Sequence, residues 1–301
     1  MNVEPFWRAP FAAGDAEALV AFCAAQRSPY DDRLLKMLLL QLTSDPAGVF
    51  VIRDDGGIVL AATVIDRAPN GVGAASLETL GVRAPLPTAI FARLVVEPAL
   101  AFVRAGACRA LHVPLPPARL PADGAERALR DAGFAHGHDT FDMRRPASAP
   151  VPPDPPPLPD ALSWATLDGA RADEAHAALA EIFRDAPSAN LMPVADFRQG
   201  VTSGAFRWRV LLDGGRIAGL VRAVPHGASG ELRIVGRLPA YRGRGLGPRL
   251  VAEGLRVLAD AGAGDVDLQV EVANERALDL YRRFGFEVVA RTPVFALALR
   301  G

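Results

Sequence analysis

One order of landmarks occurs twice in this 301-residue chain, and any fold must accommodate both copies. Asp55-Gly56-Gly57 sits between the apolar runs Val49–Ile52 and Val59–Val64. Asp213-Gly214-Gly215 sits likewise between Val210–Leu212 and Ile217–Val221, with 158 positions from Gly56 to Gly214. Adjacent glycines supply the positive φ that a tight hairpin needs, so each site reads as a β-hairpin. Leu111-His112-Val113 is matched by Leu268-Gln269-Val270, 157 positions on. Glu126-Arg127-Ala128-Leu129 with Gly133-Phe134 is matched by Glu275-Arg276-Ala277-Leu278 with Gly285-Phe286, where 152 positions separate the two Gly-Phe pairs. A nearly constant offset points to a tandem duplication whose copies differ by a few loop residues. Each copy reads as helices, a hairpin, a strand, a long helix, another strand, a short helix and a final strand, Thr140–Arg144 and Val294–Arg300 respectively. That is an α/β layer structure of α+β type with a mixed sheet.

Between the copies, Pro146 to Pro159 reads PASAPVPPDPPPLP. So many prolines exclude helix and central strand and favour an extended spacer. The expected division is therefore 1–146, a linker at 147–159, and 160–301.

Lys plus Arg (33) nearly balances Asp plus Glu (34), so no global field favours nucleic acid or an anionic membrane. No apolar run approaches the ~18 residues that span a bilayer. Cys23 and Cys108 stand in apolar contexts and read as buried thiols of a reducing compartment, and the first residues lack a signal peptide's pattern. The expected location is the cytoplasm. His136-Gly137-His138 has no Cys or carboxylate partner at ligand spacing, so it reads as a turn-exposed pair and no metal is expected.

The chemistry concentrates in the second copy. Leu232–Leu238 reads as a strand, followed by Pro239-Ala240-Tyr241-Arg242-Gly243-Arg244-Gly245-Leu246-Gly247 and a helix beginning near Pro248, with Leu250, Val251, Leu255 and Leu258 along one face. Alternating glycines between strand and helix let backbone N–H groups converge at a helix N-terminus, where the dipole favours an anion. Gly-Arg-Gly-Leu-Gly fits neither Gly-x-Gly-x-x-Gly nor a Gly-Lys-Ser/Thr loop. Pro248 removes one donor, at a position where helices tolerate proline. Further on, Val266–Val272 alternates as a strand and leads to Asn274, Ala277 and Tyr281, then Phe284-Gly285-Phe286.

The glycine stretch closely resembles the Arg/Gln-x-x-Gly-x-Gly/Ala motif of the GNAT acyltransferase superfamily. The Asn274-to-Tyr281 segment is similar to its second signature. The resemblance implies two tandem GNAT-like domains, each a mixed, mostly antiparallel sheet flanked by helices, with a V-shaped split between two parallel central strands. It implies acetyl-CoA as co-substrate, bound through Arg237, Leu238, Arg242, Gly243, Arg244, Gly245, Leu246, Gly247 and Asn274. Asn274 would bond the cofactor's amide chain, cap the helix at Glu275, or do both. Tyr281 matches the family's general acid, with Glu231 at a position where some members carry a base. Arg233 beside it makes an ion-pair role equally compatible with the residues. Arg144-Arg145 and Arg282-Arg283 read as solvated pairs, the second within reach of a 3′-phosphate.

The activity implied is transfer of acetyl to a primary amine of a small polar molecule or a peptide N-terminus, by direct attack. Transfer of a longer acyl group and a non-catalytic CoA-binding sensor or interaction module are the alternatives. Monomer and homodimer are both expected forms. Strand alternation places Glu231, Arg233 and Arg237 on one face, and Asp267, Gln269 and Glu271 on one face of the next strand. These either line an acceptor pocket or pair across strands. The loop Asp185–Pro193 is the expected acceptor determinant by resemblance. In the first copy, Leu80–Thr88 carries no glycine cradle and Pro85 and Pro87 remove donors, so that copy is expected to lack a cofactor site and to wall off the acceptor pocket.

Overall fold

The computed structural model describes residues 6–9, 11, 16–25, 48–66, 74–84, 86–106, 108–116, 122–150, 157–184, 186, 194–204 and 206–299. Two compact units emerge. One runs to His138 and includes Thr292 onward, and the other is Asp139–Arg291. The loop 185–193 lies outside the described residues apart from Ala186, as does 151–156 of the proline-rich spacer.

The first unit holds β1 (Trp7–Ala9), α1 (Ala16–Ala25), β2 (Val49–Asp54), β3 (Gly57–Asp66), β4 (Ala74–Val82), α2 (Thr88–Phe91), α3 (Glu97–Ala105), β5 (Ala110–Pro114) and α4 (Ala122–Asp131). Its strands run β1-β2-β3-β4-β5, followed by the end of β12 (Glu287–Ala298). β4 pairs parallel with β5 from Ala74 opposite Ala110, and the other pairings are antiparallel. Phe50, Ile52, Leu60, Leu77, Leu111 and Phe295 form its buried core.

The second unit contributes the end of β6 (Ala135–Arg145), β7 (Leu162–Thr166), α5 (Ala172–Ile182), α6 (Val194–Thr202), β8 (Arg207–Asp213), β9 (Arg216–His226), β10 (Ser229–Arg237), α7 (Leu246–Asp260), β11 (Asp265–Glu271) and α8 (Glu275–Arg283). Its strand order is β6-β11-β10-β9-β8-β7, with only β10 and β11 parallel. That pair begins with Ser229 opposite Asp265, each 155 positions beyond its counterpart in the first unit. The hairpins close at the anticipated turns, with Gly57 at φ 110°, Gly214 at 54° and Gly215 at 85°.

The units take their last strands differently from the division at the spacer. Thr140–Arg145 of β6 pairs with β11 of the second unit, and Val294–Ala298 of β12 pairs with β5 of the first. Each sheet is thus completed by a strand from the other half of the sequence, because ladder partners are fixed by burial and not by proximity along the chain. Phe295, 1% exposed, is the apolar anchor of β12 in the first core. His136 and His138 belong to β6 and not to a turn, with His136 edge-on to Phe295 and His138 to His112.

In the second unit, α7 crosses β9 and β10 along Leu246, Leu250, Val251, Gly254 and Leu258. A Cβ at Gly254 would meet Leu232 at 2.6 Å, so glycine is what lets helix and strand approach. Among the described residues no helix is long and apolar enough to cross a membrane.

Candidate active site

β10 changes phase midway. A register shift between Leu232 and Ile234 inserts a β-bulge against β9. Before it, Gly230 and Leu232 face α7. After it, Gly236 faces Ile182 of α5, where a Cβ would come within 2.7 Å, and Arg237 turns toward α7 beside Gly247. Glu231 and Arg237 therefore do not share a face, which corrects the expectation from simple alternation: one extra residue reverses the pattern beyond it. β10 and β11 are in parallel register only over Ser229–Leu232 and Asp265–Leu268.

Beyond that stretch lies a cavity of about 450 Å³, lined by Val235 and Arg237 of β10, the turn residues Arg242, Gly243 and Gly245, Leu246 to Pro248 and Leu250 of α7, and Asn274, Arg276, Ala277, Leu280, Tyr281 and Arg283. Gly243 and Gly245 adopt φ 78° and 68°, and a Cβ on either would touch nothing within 4 Å. In that left-handed region an ordinary residue costs roughly 1–2 kcal/mol. Gly245 is the N-cap of α7 and provides no side-chain cap, so the first N–H groups of a 15-residue helix take none from it. The helix begins at Leu246, two residues before the anticipated start, which places Pro248 in its first turn, where a missing N–H is least costly.

Among the described residues, four guanidinium groups line the cavity and no carboxylate does. Arg237 and Arg242 were anticipated. The pair Arg282-Arg283 was read as solvated yet within reach of a phosphate: Arg283 lines the cavity, and Arg282 lies 3.5 Å from Asp279. Ala277 was part of the second motif, whereas Arg276 and the apolar Val235 and Leu280 were missed. For the helical residues the signal was their spacing, 276 to 280 and 277 to 280 and 281, which puts them beside Tyr281. Leu238 and Arg244 stand outside the cavity. The Leu238 N–H donates to Ala218 O at 3.0 Å, and Arg244 stacks 5.0 Å over the Tyr241 ring. Asn274 caps α8, its side-chain oxygen accepting from the Ala277 N–H at 3.3 Å.

Tyr281 is 9% exposed, edge-on to Phe286, and burial pushes its phenol up to about 12. Glu231 lies away from the cavity, 2.9 Å from Arg233 Nε and 3.7 Å from His226 Nε2. Burial pushes its carboxyl up, yet Arg233 and His226 outweigh that and hold it below the ordinary value. A carboxylate held this way is a poorer base, so its surroundings favour the ion-pair role.

The polar face of β11 is taken up across strands. Asp267 forms a two-pronged pair with its register partner Arg144, and Gln269 donates to Asp142 at 2.6 Å. Arg145 donates to the carbonyls of Phe284, Ala149 and Pro150, so neither arginine of this pair is merely solvated. Among the described residues no group of three or more His, Cys, Asp or Glu is placed to hold a metal.

Residues 173–286 match the acetyltransferase (GNAT) family. Mycothiol acetyltransferase of Catenulispora acidiphila is 36% identical over 182 residues, 56% of this chain and 55% of that protein. Mycothiol acetyltransferase of Clavibacter sepedonicus is 31% identical over 252 residues, 79% of this chain and 80% of that protein. The chain spans about half the length of the first three curated relatives it matches, 55%, 48% and 45%. A solved tandem GNAT protein from the clavulanic acid biosynthesis pathway has a TM-score of 0.69, covering 97% of this chain and 98% of that one, at 16% identity, a likeness of fold.

Proposed function

The chain belongs to the GNAT acetyltransferase family, and on that premise we propose that it is an acyl-CoA-dependent N-acyltransferase that moves acetyl from acetyl-CoA to a primary amine of a small polar molecule or a peptide N-terminus. The observation that carries this reading is the cavity itself: two left-handed glycines open to it, the start of a long helix and, among the described residues, four arginines without a carboxylate. A pyrophosphate and a 3′-phosphate need such a surrounding, since helix N–H groups and guanidinium forks both favour phosphate oxygens.

Acetyl-CoA, when held there, would supply the thioester: the amine nitrogen bonds its carbonyl carbon, the C–S bond breaks to release the coenzyme A thiolate, and the proton lost by nitrogen passes to water. Gly243, Gly245 and the first turn of α7 hold the pyrophosphate. Arg276 and Arg283 neutralise the remaining phosphate, and Val235, Ala277 and Leu280 exclude water from the arm. The strands β10 and β11, no longer in register past Leu232 and Leu268, leave β10 main-chain groups near Arg237 for the pantetheine amides. Tyr281 lines the same cavity and would stand toward the leaving sulfur. A phenol near 12 stays protonated at neutral pH, and complete transfer of its proton to the thiolate of a ~8.5 thiol is uphill by roughly 5 kcal/mol. It therefore acts by donating a hydrogen bond to sulfur as negative charge develops there.

The test is calorimetric titration with acetyl-CoA of the wild type and of Gly245→Glu. Micromolar binding by wild type that vanishes in the variant supports the cradle. Absence of wild-type binding would remove the acyltransferase reading and leave an interaction module.

A further inference from the structure

Opposite the cofactor cavity, on the face of the sheet before the bulge, Trp208 of β8 and Arg222 of β9 are register partners. The Arg222 guanidinium lies 5.4 Å from the Trp208 ring and 5.0 Å from the Phe206 ring. Trp208 is 3% exposed, and Phe197 of α6 meets it in a T-shaped contact with ring centroids 5.2 Å apart. Two N–H groups here are buried without an acceptor among the described residues, the Trp208 indole Nε1 and Arg222 Nε. Indole N–H and guanidinium N–H have no other use than donation, and buried donors in folded proteins are almost always satisfied.

Charge points the same way. Arg233 and Glu231 flank Arg222, and their ion pair accounts for one positive and one negative charge. Among the described residues, Arg222 is then the excess cation of this cluster. Burial, followed by the Arg233 charge, pushes it down to about 9, with Glu231 opposing. A buried charge without a counter-ion is costly, and an oxyanion arriving between the two donors would remove that cost while satisfying both. The position is also suitable for an acceptor. Arg222 is the β9 partner of Ile234 in the bulged segment, and Val235, the next residue, lines the cofactor cavity from the other face.

We propose that Trp208 and Arg222 form an oxyanion-binding subsite for the acceptor, so that the amine acetylated by this protein also carries a carboxylate. This rests on the acyltransferase reading for its role, though the subsite itself does not. Arg222 is the specificity-determining residue: its guanidinium and the indole N–H grip the carboxylate, the neighbouring rings of Phe206, Trp208 and Phe197 exclude water, and the amine is left toward the end of the β10–β11 pairing.

The test has two arms. The indole N–H resonance of Trp208, assigned with Trp208→Phe, is followed by 1H–15N NMR during titration with sodium succinate and with succinamide. Movement with succinate, none with succinamide, and none with succinate in Arg222→Met are expected. Equal behaviour of the two probes, or an unchanged response in Arg222→Met, would overturn the subsite. In the second arm, coenzyme A release is compared for free amino acids and their amides. We expect kcat/KM at least tenfold higher for the acid, with the preference lost in Arg222→Met and partly kept in Arg222→Lys. An amide used as well as its acid would overturn the assignment even if the variants fail to fold, since that comparison needs only wild type. Failure of acetyl-CoA to bind would refute the acyltransferase reading separately, while the succinate titration still reports on the anion subsite.

Discussion

Glu231 and Arg237, six positions apart on one strand, project to opposite faces of the sheet because the bulge after Leu232 reverses the alternation between them. Arg237 reaches the start of α7 in the cofactor cavity, and Glu231 is held by Arg233 and His226 on the other side.

Removing the Glu231 charge takes from Arg233 and His226 the carboxylate they both approach. Glu231→Gln is expected to lower stability by about 3 kcal/mol, measurable by urea unfolding. The carboxyl is held below its ordinary value, so its contribution is present above the unfolded pKa of ~4.3 and fades as pH falls through the lower folded value. The variant should therefore lose less stability on acidification than wild type. An equal acid response in both proteins would refute the ion-pair role.

Tyr281→Phe should reduce turnover about 100-fold or more while acetyl-CoA affinity in calorimetry changes less than about threefold. The same phenol gives an alkaline signature. Its folded value of about 12 exceeds the unfolded ~10, so roughly 3 kcal/mol of stability is intact below pH ~10 and is lost as pH rises toward the folded value. Unfolding at pH 9 and 11 should show a smaller drop for the phenylalanine variant. Parallel curves would mean that the phenol is not buried in solution.

Arg276→Ala and Arg283→Ala should each weaken coenzyme A binding about tenfold, as loss of a charge-assisted phosphate contact does. Titration with dephospho-coenzyme A identifies their partner. A variant that has lost the 3′-phosphate contact binds both forms alike, whereas one that has lost a pyrophosphate contact keeps the wild-type ratio.

Asp267→Ala should cost under about 1 kcal/mol, because Arg144 and Asp267 are both about half exposed. It should leave the acceptor KM unchanged. A raised KM would return the β11 face to the acceptor pocket.

What could be read in the sequence was what is fixed locally. A left-handed turn before a helix demands glycine, so Gly243 and Gly245 marked the cradle, and Asn274 marked the cap of α8 through its own side chain. The bulge gave no such mark: Leu232-Arg233-Ile234 is ordinary strand sequence, and its extra residue exists only relative to β9. Arg276 was hidden because a charged residue in the first turn of a helix reads as solvated until the opposing strand is known. Trp208 and Arg222 lie 14 positions apart and meet only through strand register.

Exchange of the terminal strands carries a consequence for synthesis. The sheet of the first unit receives Val294–Ala298 alongside β5, yet these residues are translated long after β5 itself. Until they leave the ribosome, β5 presents an unpaired edge of the kind that recruits stray strands. The first half must therefore wait through the making of the second, and cutting the gene at the proline-rich spacer would yield two polypeptides that each lack a strand, not two portable modules.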